Sequence, residues 1–305
     1  MSDSSEQIDW SRIKNELQGS EGLIRLVRSD LMGDSTEAAD ETFAAYCEEF
    51  GTPSQSYLRE HFSEVLGRLI DFSSRLYRDR SDLIAGSLLR KAAKREGLRT
   101  TYPETYRALD HLQEIYASRS DFQSFLSTGF PILANLLKLM TISERQSSVK
   151  RAGLMFSSHI GRLLRLVGLE GSFQRNVSLS SNVPPLDFVF PSVVYYQQAQ
   201  PQTAAVAAVI TTINDRYRIS TTKLSVAGGA KRYLVTGVGS SFPHSAATVL
   251  TEARLSHLGE LSTKAVVLDS AKSSSQRLSG DERVVSFEQW VGELLGLKKE
   301  HWKCP

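Results

Sequence analysis

Two stretches of this chain carry residues able to act together on a phosphate ester. Pro184-Pro185-Leu186-Asp187-Phe188-Val189-Phe190-Pro191 sets one carboxylate inside an apolar segment fenced by prolines. Ala204–Thr212 (AAVAAVITT) is an unbroken apolar run that stops at two threonines and passes straight into Ile213–Lys223 (INDRYRISTTK). A buried strand with a polar segment at its carboxyl end is where α/β sheets place their working groups. One acid on one strand, followed by a base-rich segment on the next, suits metal-assisted attack on a phosphodiester. That reaction needs a hard cation to neutralise developing charge and to acidify a water. Oxygen ligands from one or two carboxylates plus the phosphate itself suit Mg2+.

Asp187 is the first candidate metal ligand and catalytic residue. Its apolar neighbours would bury it, and a buried carboxylate without compensation is costly. The competing reading is a strand-end aspartate that caps a turn. Lys223 is the second catalytic candidate, placed to orient the attacking water or offset phosphate charge; a surface lysine is the equal alternative. Glu144 and Glu252 are weaker candidates for a second acid, each more in keeping with a solvated helix. Thr211 and Thr212 could bond water or phosphate, or serve only as β-branched strand residues.

Asn214, Asp215, Arg216 and Arg218 offer mixed donors and acceptors within about one and a half helical turns. Arginine reads guanine O6 and N7 as a pair, and a carboxylate or amide accepts from cytosine N4, so the cluster suits a G·C-rich duplex. Ion pairs along a helix surface are the alternative for Asp215 with Arg216 or Arg218. Arg145, Lys150 and Arg151 are candidate contacts to the DNA backbone, which position a duplex without reading it.

The elements that must hold these residues fall into two kinds. Trp10–Leu17, Glu21–Leu31, Glu37–Glu49, Tyr57–Tyr77, Asp82–Glu96, Arg107–Tyr116 and Ile132–Leu139 show helical apolar spacing. Ser143–Val167 predicts one long helix opened by Ser143 and closed near Gly168. Strands are expected at Leu186–Phe190, Ala204–Thr212, Arg232–Gly237 and Lys264–Asp269, with helices at Ala246–Leu258 and Phe287–Leu297 and a further short helix after the second strand. The expected architecture is therefore α/β. A helical N-terminal subdomain occupies residues 1–140, for dimerisation and flanking DNA, and the catalytic and recognition core occupies residues 141–305.

Composition sets the remaining bounds. At 305 residues the chain can bury a full core. The net charge of +2 means that any nucleic-acid contact must use a local basic face. Cys47 and Cys304 match no zinc spacing or disulfide framework, and a cytoplasmic location is expected. The six histidines do not pair at metal-ligand spacing. The glycines at 228–229 and 237–239 lack the context of a nucleotide fingerprint and read as turns.

Laid side by side, these elements resemble type II restriction endonucleases of the EcoRII-like group that cut at CCGG or CCNGG cores. That group has the PD-(D/E)xK nuclease fold, a mixed central sheet flanked by helices. Arg145-Gln146 with Lys150-Arg151-Ala152-Gly153 is similar to its Arg/Gln and Arg-Ala-Gly helix motif. Leu186–Pro191 is similar to its Pro-Asp strand. Val209–Arg218 is similar to its Val-Lys-Thr-Thr-x-x-Asp-Arg-Trp-Arg segment. The likeness covers roughly residues 141–270. It implies Mg2+-dependent hydrolysis of double-stranded DNA at a palindromic site, with Gln146 reading a base pair next to those read by the 214–218 segment. A palindrome cut in both strands implies two sites about a twofold axis, hence a homodimer, with tetramers as an extension. Related enzymes flip a central base, and Tyr57 and Arg59 are candidates to line such a pocket.

Two positions depart from the pattern. Ile210 stands where the family has its catalytic lysine, and Ser157 where a helix glutamate is expected. The expectation is that the ammonium has moved to Lys223; the alternative is a degenerate site that binds DNA without cutting.

Overall fold

The computed structural model describes the chain except for residues 1–7, 20, 27–33, 95, 119–121, 182, 199–200, 211–212, 238–249 and 303–305. Within its helices, the side chains of residues 81–94, 141–150 and 213–216, among others, also lie outside the description. The helices are α1 (Trp10–Gln18), α2 (Ser35–Phe50), α3 (Gln55–Lys94), α4 (Glu96–Thr101), α5 (Pro103–Ser118), α6 (Phe122–Leu164), α7 (Val193–Gln198), α8 (Ile213–Ser225), α9 (Glu252–Glu260), α10 (Asp269–Ser273), α11 (Gln276–Ser279) and α12 (Phe287–Glu300). The strands are β1 (Gln174–Val177), β2 (Leu186–Phe190), β3 (Ala205–Ile210), β4 (Lys231–Thr236), β5 (Thr263–Val267) and β6 (Val284–Ser286).

The chain divides into two compact units, residues 1–38 with 75–151, and residues 39–74 with 152–305. The expected cut at 140/141 differs from this division because 39–74 goes with the sheet. The reason is apolar: Leu58, Phe62, Val65, Leu66, Leu69 and Ile70, within the Tyr57–Tyr77 segment of helical apolar spacing, are buried in the same core as Phe188, Phe190 and Trp290.

The first unit has its own core of Ile13, Leu17, Leu23, Ile24, Tyr102, Tyr106 and Ile115. Glu16 reaches the start of α5, where its carboxylate accepts the N–H groups of Glu104 (3.1 Å) and Thr105 (2.7 Å). Those are donors that a helix start leaves without intrahelical acceptors.

The second unit is built on one six-stranded sheet, ordered β1-β2-β3-β4-β5-β6. β1, β2 and β3 are antiparallel neighbours. β3 to β6 are parallel. Parallel neighbours require crossovers, and α8 supplies the one from β3 to β4. β3 is buried on both faces, with Ala205, Val206, Ala207 and Ala208 fully so. That accounts for its continuous apolar run rather than an alternating one. α12 starts with a capping box, in which Ser286 and Gln289 satisfy each other's backbone N–H groups.

Several expectations shift in extent. The helix expected from Ser143 is part of α6, which begins at Phe122 and carries Pro131 within it. It ends in a short π-turn over Arg165–Leu169, with Gly168 at φ +104°. Gln55 Nε2 donates to the carbonyl of Val167 (2.9 Å) and Lys298 Nζ to that of Gly168 (2.8 Å). A Cβ at Gly168 would lie 2.1 Å from the Gln55 amide nitrogen. α3 is broken locally at His61, whose φ of −129° and ψ of 28° are not helical. The short helix after the second expected strand is α8, 13 residues long. No helix among the described residues is long and apolar enough to cross a membrane.

Candidate active site

The antiparallel pairing of β2 with β3 sets Phe188 opposite Ala207. Asp187, one residue earlier, is therefore alongside Ala208, near the carboxyl end of β3. There its Oδ2 accepts the backbone N–H of Val209 at 2.9 Å. The carboxylate thus prolongs the β2–β3 ladder by one rung just where the strand gives way to α8. The carboxylate is half-buried.

Ile210 is 2% exposed, its side chain part of the sheet core. Ser157 is also buried, at 5%. Both departures from the nuclease pattern are thus at packed positions.

The group that approaches Ser157 is a cation the sequence reading did not single out. Arg175, on β1, sits opposite Phe188 in the ladder. Its Nη2 donates long hydrogen bonds to Ser157 Oγ (3.4 Å) and Ser158 Oγ (3.3 Å). Its guanidinium lies 5.7 Å from the centre of the Phe188 ring. Burial pushes the guanidinium pKa below its ordinary value, the charge of Arg165 adds to that, and the charge of Asp187 opposes it. Arg165 likewise lowers Arg162, after burial as the larger cause. Arg162 is neutralised by Asp40 and lies over Phe43 at 4.7 Å.

α8 carries the segment expected to read bases. Asn214, Asp215 and Arg216 are on this helix, and their side chains lie outside the described residues, as do Thr211 and Thr212 entirely. Arg218 is described and exposed. The helix is anchored one residue earlier, where Tyr217 Oη donates to the carbonyl of Arg254 (2.9 Å) and meets His257 Nδ1 (3.1 Å) on α9. Burial raises the Tyr217 pKa, with Arg254 acting against it. Tyr217 falls where the resembling motif has tryptophan, and that motif was the available signal for an anchor. Thr221 and Thr222 turn their hydroxyls back onto the Arg218 carbonyl (3.1 and 2.8 Å).

Lys223 is in the last turn of α8 and half-buried. Arg145, Gln146 and Lys150 are on α6 with side chains outside the described residues. Arg151 is half-buried in the first unit, its pKa lowered by burial and raised by Tyr77 and Asp34. Glu144 lies outside the described side chains, and Glu252 accepts from Arg283 Nη2 at 3.0 Å, an ion pair rather than a metal position. Tyr57 is stacked on His61, with ring centres 4.4 Å apart.

As a place for Mg2+, the donor set is small. Asp187 offers a hard carboxylate, and no three His, Cys, Asp or Glu side chains cluster among the described residues. One carboxylate completed by phosphate oxygens and water is within the range that Mg2+ accepts.

The chain has recognisable relatives. Residues 116–233 match the family described as EcoRII C terminal. The structure is similar to metal-depleted Ecl18kI in complex with uncleaved, modified DNA, with a TM-score of 0.70 and 16% identity over 98% of this chain and 87% of that one. It is similar to metal-depleted Ecl18kI with uncleaved DNA, at TM-score 0.70 and 16% identity over 97% and 87%. The restriction endonuclease PspGI–substrate DNA complex gives a TM-score of 0.57 and 11% identity over 90% and 96%. Comparison with curated proteins gives no match. The fold expected from the sequence is borne out: a mixed sheet with flanking helices, shared with PD-(D/E)xK restriction endonucleases.

Proposed function

We propose that this chain, whose residues 116–233 match the EcoRII C-terminal family, is a type II restriction endonuclease that hydrolyses double-stranded DNA. Its site is a palindrome with a CCGG or CCNGG core. The observation that carries the reading is Asp187 at the carboxyl end of β3, next to the strand-to-helix turn that opens the base-reading helix α8. Asp187 would hold Mg2+, which when bound supplies charge neutralisation and an acidified water. Arg218, with Asn214, Asp215 and Arg216, reads base edges from α8, and Gln146 reads an adjacent pair. Arg145, Lys150 and Arg151 are assigned to the DNA backbone, and Lys223 to the phosphate or its attacking water. Two copies of the chain form the unit that cuts a palindrome.

A second reading, a DNA-binding relative that does not cut, is favoured by one observation. The family's lysine position is filled by Ile210, packed into the core at 2% exposure.

Incubation of the purified protein with unmethylated plasmid and Mg2+ separates the two. Discrete fragments support cleavage, whereas retarded but intact DNA supports the second reading. Asp187→Ala is expected to lower cutting by at least 100-fold while leaving binding to a CCNGG-core duplex within a few-fold. Retained cutting by Asp187→Ala would refute the assignment of this site.

A further inference from the structure

Arg175 is a half-buried cation on β1. No carboxylate stands within ion-pair distance of it among the described residues, and its Nε is buried with no hydrogen-bond partner there. Among the described residues, its side-chain acceptors are the two serine hydroxyls, at 3.3 and 3.4 Å. A guanidinium has five N–H donors in a fixed fork, so most of its donor capacity is unused. Burying a charge without a counter-charge is costly, and a second guanidinium within electrostatic range raises that cost.

The fold nonetheless makes room for it. A Cβ at Gly161 on α6 would lie 3.2–3.4 Å from Cδ, Nε and Cζ of Arg175, so a glycine at this helix position leaves the slot in which the guanidinium lies. Its neighbour across the ladder, Phe188, adjoins Asp187, and Asp187 is the carboxylate whose charge acts on it. Arg165, exposed and 5.9 Å from the Phe173 ring, extends the positive field outward. Arg165 and Asp187 each act on the Arg175 charge, and its unfilled N–H donors among the described residues are arranged for an anion arriving from outside.

We propose that Arg175, backed by Arg165, is the phosphate-binding cation of this site, taking over the charge neutralisation that Ile210 cannot supply. The ligand is a phosphodiester of duplex DNA held next to Asp187. Arg175 transfers no proton, since a guanidinium stays charged in proteins. It donates hydrogen bonds to the phosphate oxygens, and a bidentate pair is the geometry that its fork favours. The proposal rests on the DNA-binding part of the proposed function and not on cleavage.

The test is equilibrium binding of the full-length protein to a CCNGG-core duplex across a salt series without divalent metal, comparing wild type with Arg175→Gln, Arg175→Lys and Arg165→Gln. Each phosphate contact contributes about 0.9 to the slope of log K against log salt. Arg175→Gln is expected to reduce the slope by about one. Arg175→Lys should keep most of the slope, and Arg165→Gln should reduce it by a similar step. The preference for core over non-core duplex should stay unchanged in all three. The melting temperature of Arg175→Gln without DNA should equal or exceed that of wild type, because the change removes a half-buried charge. A lowered melting temperature with an unaltered slope would make Arg175 structural and overturn the proposal. If Arg175→Gln does not fold, an unaltered slope in the exposed Arg165→Gln variant overturns it instead. A wild type that never cuts but shows the Arg175 step retains this proposal while cleavage falls. A wild type that cuts, with Arg175→Gln binding and cutting equally well, does the reverse.

Discussion

His159 is buried at 1% exposure on α6, and its Nε2 is 2.8 Å from Ser73 Oγ. Burial holds its pKa down from 6.5 to about 4. Above pH 6.5 the ring is neutral in both folded and unfolded chains, and it contributes no pH dependence. Below that, the unfolded chain takes up a proton that the native ring refuses, so stability falls as the pH drops toward 4, by about 3 kcal/mol at most. Urea titrations between pH 7 and pH 4.5 should show this loss, and His159→Gln, which can keep the bond to Ser73, should flatten it. Equal pH slopes in both proteins would refute the assignment. Legibility at this scale follows neighbours along the chain. Asp187 stood out because four apolar residues surround it in the sequence. Arg175 lies in Gln-Arg-Asn-Val, where nothing local signals a buried charge. Its surroundings come from Ser157, Ser158 and Gly161 on a helix and Phe188 on another strand, which only the fold brings together.

Among elements, the break in α3 at His61 has a specific compensation. Non-helical backbone there frees N–H groups of the following turn, and Ser63 N–H is accepted by Glu288 Oε1 on α12 at 2.6 Å. Ser63 Oγ also donates to Glu288 Oε2 (2.8 Å) and accepts from the N–H of Asp269 (3.0 Å). Removing the acceptor strands two donors in a part-buried place, so Glu288→Ala should cost about 1–3 kcal/mol. Glu288→Gln should cost less, because one carbonyl oxygen remains. Chemical denaturation of both variants checks the order, and equal stability in Glu288→Ala and wild type would refute it. The central strands were readable because burial on both faces leaves continuous apolar runs: β2 is found at its expected bounds, and β3, β4 and β5 begin or end within one or two residues of theirs. β1 and β6 were not readable. Gln174–Val177 has no apolar pattern and Val284–Ser286 is only three residues long, so each exists by pairing with a neighbour rather than by local preference. Ser143, a residue type common at helix starts, misled because α6 runs through it from Phe122.

For the whole molecule, the proposed palindrome sets the assembly. Light scattering of the protein with its duplex should give a protein mass near twice the chain's 33.9 kDa, or four times if dimers pair. A monomer bound to an intact palindrome would argue against twofold cutting. The division into units was only partly legible, because residues 39–74 are helical like their flanks and nothing in composition marks them as part of the sheet's core. Gly168 shows what such a fold asks of one position. Its neighbouring carbonyl and its own are claimed by side chains from residues 113 positions upstream and 130 downstream, Gln55 and Lys298, while its backbone turns through a left-handed conformation. In a saturation-mutagenesis screen for restriction, this site should tolerate no replacement at all, although it reads no base and holds no phosphate. Inactivating lesions in such a screen would therefore trace the seams of the scaffold as sharply as its chemistry.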